Sequence, residues 1–204
     1  MPISISGNGT ITGISTGGLP DGCVDTDTLA NNAVTSAKST GLQRRITTGP
    51  TNLTGASVTF NLTAGVKQIE ILFHNFSSDN SSDVLLQIGD AGGIETSGYG
   101  YAAGYHRTGL SSREATVANY TTAFTTNGFG SSSYQIWGTW KLCNPNGNFW
   151  YAEHNMWGSL AADHTFYGNG YKELSDTITQ FKMTPNSGSF DSGTFTVVET
   201  MGDT

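Results

Sequence analysis

A period of two runs through the stretch Phe149-Trp150-Tyr151-Ala152-Glu153-His154-Asn155-Met156-Trp157. One face of this segment carries Trp150, Ala152, His154 and Met156, and the opposite face carries the five residues between and beside them. Strict alternation over nine positions is typical of a β-strand, whose successive side chains point to opposite faces of a sheet. The stretch therefore predicts a strand with a tryptophan on each of its two faces.

The preceding segment, Tyr134-Gln135-Ile136-Trp137-Gly138-Thr139-Trp140-Lys141-Leu142, predicts a second strand. Its apolar face carries Tyr134, Ile136, Trp140 and Leu142, and its other face carries Gln135, Trp137, Thr139 and Lys141. Trp137 therefore stands among polar neighbours, and we expect it to be the most exposed of the tryptophans. A turn-forming cluster, Asn144-Pro145-Asn146-Gly147-Asn148, separates the two strands.

Shorter alternating segments extend this pattern over most of the chain, and turn-forming clusters divide them. The predicted strands are 58–62, 69–73, 84–88, 97–105, 120–125, 134–142, 149–157, 165–172, 178–183 and 194–199. About ten short strands at such spacing are typical of an antiparallel sandwich. We therefore predict an all-β chain with an antiparallel β-sandwich of jelly-roll type.

Composition supports a β-rich binding or structural protein. Only 12% of the 204 residues are charged, 11% are aromatic, and 27 are glycine. A net charge of -7 argues against a nucleic-acid partner, which would need a basic stripe. Apolar runs never reach the length of a membrane span, so no membrane insertion is expected. The two cysteines, Cys23 and Cys143, are too far apart and too few to indicate a zinc site or a disulfide framework.

Aromatic residues divide the chain into two parts. All of them lie between Phe60 and Phe195, and the first 59 residues contain none. A segment without aromatic side chains lacks the residues that bury the most apolar surface in a core. We therefore predict a first segment over 1–45 that needs a partner to be ordered, and a β-sandwich domain over 46–204.

The first segment shows two weak elements that need a partner. Alternation around Gly7-Asn8-Gly9 predicts a hairpin, which in isolation is marginally stable in water. Residues 25–38 predict a short helix with a narrow face of small residues, also too weak to persist alone. Self-association would bury both elements. Their apolar positions are Ile3, Ile5, Ile11 and Ile14 in the hairpin region and Leu29, Ala33 and Ala37 in the helix.

Two runs in this segment resemble a module at the start of bacteriophage tail-fibre and other virion structural proteins. They are Ile11-Thr12-Gly13-Ile14-Ser15-Thr16-Gly17-Gly18-Leu19-Pro20-Asp21-Gly22 and Asp27-Thr28-Leu29-Ala30-Asn31-Asn32-Ala33-Val34-Thr35-Ser36-Ala37-Lys38. The resemblance is to versions in phages of aquatic bacteria, including cyanophages, and it covers roughly the first 42 residues. The second run occurs once here, whereas longer fibres often repeat it.

This resemblance implies an elongated homotrimer in the virion, made in the bacterial host cytoplasm. Its N-terminus would bind other virion proteins, its helix would form the neck, and its β domain would lie distally. Two other roles stay open. The β domain of a capsid decoration or tail cement protein would contact virion subunits alone, and a tailspike would degrade glycans.

The distal domain carries the candidate binding residues. Aromatic rings among Asn, Gln, Glu and His suit sugar recognition, because a ring covers the apolar face of a pyranose while polar neighbours bind its hydroxyls. The candidates for a host-surface glycan are Trp137, Trp150, His154 and Trp157. Packing in the core or between subunits is the competing interpretation of the same residues.

Catalysis is not expected. Glu153 and Asp163 are the one pair of carboxylates near the tryptophans, and no pattern fixes their separation, which a glycosidase needs at ~5–9.5 Å. The four histidines lack the spacing of metal-binding motifs, and no phosphate-binding loop or nucleophile motif occurs. We therefore expect no catalytic residues, no metal and no cofactor.

Overall fold

The computed structural model describes residues 4–5, 11–12, 45–107, 118–127, 135–159 and 164–202. The described residues are all-β, with antiparallel pairing throughout, so the predicted class is confirmed. The chain divides into two units, Met1–Leu42 and Gln43–Gly202. The predicted neck helix at 25–38 lies outside the described residues, and homotrimer formation stays a prediction.

In the first unit the structure describes one hairpin. Strand β1 (Ser4–Ile5) pairs antiparallel with β2 (Ile11–Thr12), and Ile5 lies opposite Ile11. The predicted turn therefore separates two strands that do pair.

The described residues of the second unit form thirteen strands. They are β3 (Arg45–Asn52), β4 (Val58–Asn61), β5 (Val66–Ser78), β6 (Val84–Asp90), β7 (Gly93–Ile94), β8 (Tyr99–Arg107), β9 (Ala118–Tyr120), β10 (Phe124–Thr125), β11 (Gln135–Asn146), β12 (Phe149–Ser159), β13 (His164–Glu173), β14 (Gln180–Pro185) and β15 (Phe190–Met201). Eight form a large sheet in the order β3-β15-β5-β11-β12-β13-β8-β9. A smaller sheet has the order β10-β6-β14-β4, with β7 paired to β6.

The core lies between these two sheets. Large side chains from both sheets meet there, and Trp140, Trp150, Phe166, Phe181 and Phe195 are all at most 2% exposed. Phe60 on the small sheet contacts Phe195 on the large one with ring centroids 6.4 Å apart, and Phe124 contacts Tyr101 at 5.2 Å. This arrangement is consistent with the predicted β-sandwich, because each sheet buries one of its two faces.

Two strand predictions are corrected by the pairing. The sequence shows no alternation over Arg45–Asn52, yet this segment forms the edge strand β3, which leaves nearly all its side chains exposed. The predicted strand over 120–125 is instead two strands in different sheets, because β9 pairs with β8 whereas β10 pairs with β6. Edge positions and crossings between sheets leave little hydrophobic pattern in a sequence.

A buried polar network ties the end of β13 to the loop after β7. Lys172 is 5% exposed and forms an ion pair with Glu95, while its ammonium lies 5.6 Å from the centroid of the Tyr99 ring. Ser175 donates a 2.6 Å hydrogen bond to Asp90, and this bond is the main reason that the pKa of Asp90 is lowered. Each buried charge is therefore paired or hydrogen-bonded, as burial requires.

Candidate functional site

The large sheet presents a second face, here called the outer face, that points away from the core. Register aligns its side chains in rows that run across β11, β12 and β13. Trp137, Trp157 and Thr165 form the first row, and Thr139, Asn155 and Tyr167 form the second. The third row is Lys141, Glu153 and Asn169, and the fourth is Cys143, Tyr151 and Tyr171. Aromatic residues therefore lie at both ends of the outer face, with polar residues between them.

The tryptophan pair, Trp137 and Trp157, lies at one end of the outer face. Their ring centroids lie 5.2 Å apart with the ring planes at 40°. Trp157 is 41% exposed, although it is among the largest apolar side chains of the chain. The two rings therefore stabilise each other while part of their surface stays open to solvent.

At the other end stands the tyrosine cluster, which consists of Phe149, Tyr151 and Tyr171. The rings of Phe149 and Tyr171 stack with centroids 5.4 Å apart and planes at 15°. Tyr151 lies directly opposite Tyr171 in the register, and the two are 39% and 50% exposed. This end of the outer face is thus also aromatic and open to solvent.

Glycines on the neighbouring strand β8 determine where two of these tyrosine rings lie. A Cβ on Gly100 would come within 2.8 Å of the Tyr171 ring, and one on Gly104 would come within 3.2 Å of the Tyr167 hydroxyl. Because no side chain occupies that space, both rings lean across β8. The small residues of β8 therefore hold tyrosine rings over the sheet.

A groove of about 290 Å3 lies between the two aromatic ends. The residues that line it are Thr139, Lys141, Glu153, His154, Asn155, Tyr167, Gly168 and Asn169. Their side chains provide one ammonium group, one carboxylate, two amides and two hydroxyls at the surface. The imidazole of His154 is not among these surface groups, because its side chain points into the core. The groove thus offers hydrogen-bond donors and acceptors in a short space, next to exposed rings.

The structure separates the four predicted glycan-binding residues into two pairs. Trp137 and Trp157 lie on the outer face, but Trp157 is exposed whereas Trp137 is only half-buried, so the expectation that Trp137 is the most exposed tryptophan is wrong. Trp150 and His154, however, are 2% and 3% exposed and belong to the core, so their proposed contact with a ligand is corrected. The reason is the alternation itself, since Trp150 and His154 share a face with Ala152 and Met156, and that face is the buried one.

Several residues of the outer face were not among the four glycan-binding candidates predicted from the sequence. Tyr151, Tyr167, Tyr171, Asn155 and Asn169 all lie on the outer face. A signal for them exists in the sequence, because they alternate with the buried positions of β12 and β13. Which of the two alternating faces is the solvated one depends on the second sheet, however, and the sequence does not place that sheet.

Of the predicted attachment residues, Ile5 and Ile11 lie in the described hairpin, where they pair. Ile3, Ile14, Leu29, Ala33 and Ala37 lie outside the described residues, and so does Asp163, the carboxylate considered beside Glu153. The attachment role of this segment is taken up below as a proposal.

Beneath the groove, His154 is held in an uncharged state. Its Nδ1 lies 2.6 Å from the Tyr101 hydroxyl, and its Nε2 has no hydrogen-bond partner among the described residues. Burial lowers the pKa of His154 to about 3 and raises that of Tyr101. A proton on this imidazole would place a charge in the core without a partner that stabilises it.

We expect this histidine to make the protein less stable in mild acid. The unfolded chain takes up a proton near pH 6.5, whereas folded His154 does so only near pH 3, so the free energy of unfolding falls as pH decreases between these values. The slope should approach about 1 kcal/mol per pH unit. Urea titrations between pH 7 and 4.5 measure it.

The variant His154→Gln should lose most of this slope, because glutamine can still bond Tyr101 but does not titrate. His74→Gln is the control, since His74 is exposed, and it should keep the slope of the wild type. Equal slopes for all three proteins would show that His154 does not determine the acid response.

Two further properties of the described part of the chain bear on its chemistry. Among those residues, no group of three or more His, Cys, Asp or Glu side chains is placed to hold a metal ion. No helix in those residues is long and apolar enough to cross a membrane. Comparisons with protein-family models, curated proteins and solved structures found no match to this chain.

Proposed function

We propose that this chain is a virion appendage protein whose β domain binds a glycan of the host surface. The observation that carries the binding proposal is the groove on the outer face, with exposed aromatic rings at both ends and polar side chains between them. The virion assignment rests on the resemblance of the first 42 residues to phage fibre modules.

Carbohydrates require this mixture of surfaces. A pyranose ring has apolar C–H faces, which stack on aromatic rings, and a rim of hydroxyls, which need donors and acceptors. Trp157 and Tyr171 provide exposed rings, while Asn155, Asn169 and Glu153 provide the polar groups. Amide groups suit hydroxyls well because each amide both donates and accepts.

The groove favours binding over hydrolysis. Among the described residues that line it, Glu153 is the one carboxylate. Glycoside hydrolysis generally needs two carboxyl groups on either side of the scissile bond. We therefore propose a protein that holds its glycan without cutting it, and a glycan-degrading tailspike is the less favoured role.

The N-terminal segment supports attachment to the virion. It lacks aromatic residues, and its hairpin is too small to be stable alone, so a partner must stabilise it. We propose that this partner is provided by other virion proteins and by two further copies of the chain. The homotrimer follows from the resemblance alone.

A capsid decoration or tail cement protein is the second candidate. The observation in its favour is that, among the residues that the structure describes, the large exposed apolar side chains all lie on the outer face: Leu72, Tyr151, Trp157, Tyr167 and Tyr171. Such a patch also suits contact with a protein. In that case the outer face would bind virion subunits, and glycans would leave it unaffected.

The test is adsorption of the full-length protein to host cells and to a glycan array, with and without Trp157→Ala. We expect binding by the wild type and a loss of about tenfold in affinity for the variant, because a stacked ring is removed. Leu85→Ala is the control, since Leu85 is a partly exposed apolar residue of the small sheet and should leave binding unchanged.

The outcomes separate the candidates. An equal loss in both variants would point to general destabilisation. Absence of adsorption together with binding to purified virions would favour the decoration or cement role. Release of shortened oligosaccharides from host polysaccharide would contradict the proposal that the protein is not an enzyme.

A further inference from the structure

We infer that the groove binds an extended, uncharged oligosaccharide that lies along β12 and stacks on both aromatic ends at once. This inference rests on the proposed function and makes it more specific, since it states the length and the charge of the glycan. Three features of the outer face lead to it: the distance between its aromatic ends, the position of its tyrosine rings and its balance of charge.

The distance between the aromatic ends determines the length of the ligand. Tyr151 and Trp157 lie six residues apart on one strand, which corresponds to about 20 Å at ~3.3 Å per residue. One sugar ring is far shorter than this and can touch one end only. Contact with both the tryptophan pair and the tyrosine cluster therefore requires a chain of several sugar units.

The residues between the ends continue the same path. Asn155 and Glu153 follow one another along β12 on the outer face, and Tyr167 and Asn169 accompany them on β13. Each of these rows lies about 7 Å from the next along the strand. Polar contacts therefore recur at every step of the path, as they must if the hydroxyls of an extended glycan are to be bound.

The tyrosine rings leave the path open. Tyr167 and Tyr171 lean over Gly104 and Gly100 on β8, so they extend towards the side of the sheet away from β12. Between these glycines the outer position of β8 holds Ala102, which is also small. The two rings thus flank the path over β12 without covering it, and Tyr171, which also stacks on Phe149 of β12, remains within reach of a ligand on that path.

The charge of the groove determines the charge of the ligand. Lys141 and Glu153 lie opposite each other in the third row, so their charges offset one another. Glu70 lies on the other side of Lys141 and also pairs with Arg45 at 3.7 Å. With a net charge of -7 on the chain, a polyanionic glycan would be repelled, and a neutral one is favoured.

The test uses an array of neutral gluco-, manno- and xylo-oligosaccharides and of oligouronates, each from mono- to hexasaccharides, with the full-length protein. Affinity should increase with length among the neutral series, and the hexasaccharide should exceed its uronate counterpart. Trp157→Ala and Tyr171→Ala should each weaken hexasaccharide binding about tenfold, since each removes one stacking contact. Both variants should keep the thermal midpoint within a few degrees of the wild type.

Three results would overturn the inference while keeping the glycan-binding proposal. They are equal affinity for mono- and hexasaccharides, preference for the oligouronates, and sensitivity to only one of the two variants. A protein that binds host cells but no member of either series, neutral or acidic, would also overturn it. Absence of binding to any glycan or host cell would instead contradict the proposed function itself.

Discussion

Alanine at Gly138 is expected to lower the free energy of unfolding by about 3 kcal/mol or more, the sum of backbone strain and overpacking. Gly138 lies in β11 with a φ of 146°, a conformation that side chains disfavour. A Cβ there would lie 2.4 Å from the Asn155 carbonyl oxygen and 2.5 Å from the Met156 Cα, both on β12. Backbone atoms cannot move aside as a flexible side chain can, so β11 and β12 would have to separate.

A control variant gives the cost of a positive φ at a glycine where no clash occurs. Gly147 lies in the turn between β11 and β12 with a φ of 54°, and a Cβ there meets nothing within 4 Å. Gly147→Ala should therefore cost about 1 kcal/mol, through backbone conformation alone. Thermal melts should show a decrease of about 6–12 °C for Gly138→Ala and of only a few degrees for Gly147→Ala. Equal decreases would show that the β11–β12 contact at Gly138 tolerates a methyl group.

The second large effect is expected for the double variant Trp157→Ala, Tyr171→Ala on a neutral hexasaccharide. Each ring contributes about tenfold to affinity, and the two lie at opposite ends of the outer face. Effects of sites separated by more than ~7–10 Å generally add in free energy, so affinity should fall about a hundredfold. Calorimetric titration of both single variants and the double variant measures this.

Stability must be measured in parallel, because each ring also packs on a neighbour. Trp157 contacts Trp137 and Tyr171 stacks on Phe149, so each substitution should cost about 1 kcal/mol of folding free energy. At this cost the double variant remains folded at the temperature of the titration. A loss no greater than that of one single variant would mean that a bound glycan contacts only one end of the outer face.

Much of the large sheet can be predicted from its longest strands. β11 and β12 alternate strictly, and their predicted faces agree with the register, in which Trp140 lies opposite His154 and Trp137 lies opposite Trp157. Strand β3 is different, since it is exposed on both faces and gives no periodic signal. The sequence also gives no signal for the split between β9 and β10. The chain passes from one sheet to the other within a few residues, and the polarity pattern of these residues does not mark that change.

Only part of the candidate site could be predicted from the sequence. Alternation places Trp157 with Glu153 and Asn155 on one face, and Trp150 with His154 on the other. A tryptophan or histidine is compatible with either a core or a binding surface, so residue type alone does not distinguish the two faces. The buried bond between His154 and Tyr101 joins residues 53 positions apart, and local pattern does not foresee it.

By itself, the sequence determined that this chain is all-β, that its aromatic residues lie beyond residue 59, and which side chains share a strand face. Those properties follow from period-two alternation and composition, which are local. Only the tertiary structure decided which face is buried, which strands are neighbours, and that two aromatic clusters flank a polar groove. These follow from strand pairing across the sheet and from the second sheet that covers one face, and both depend on residues far apart in the chain.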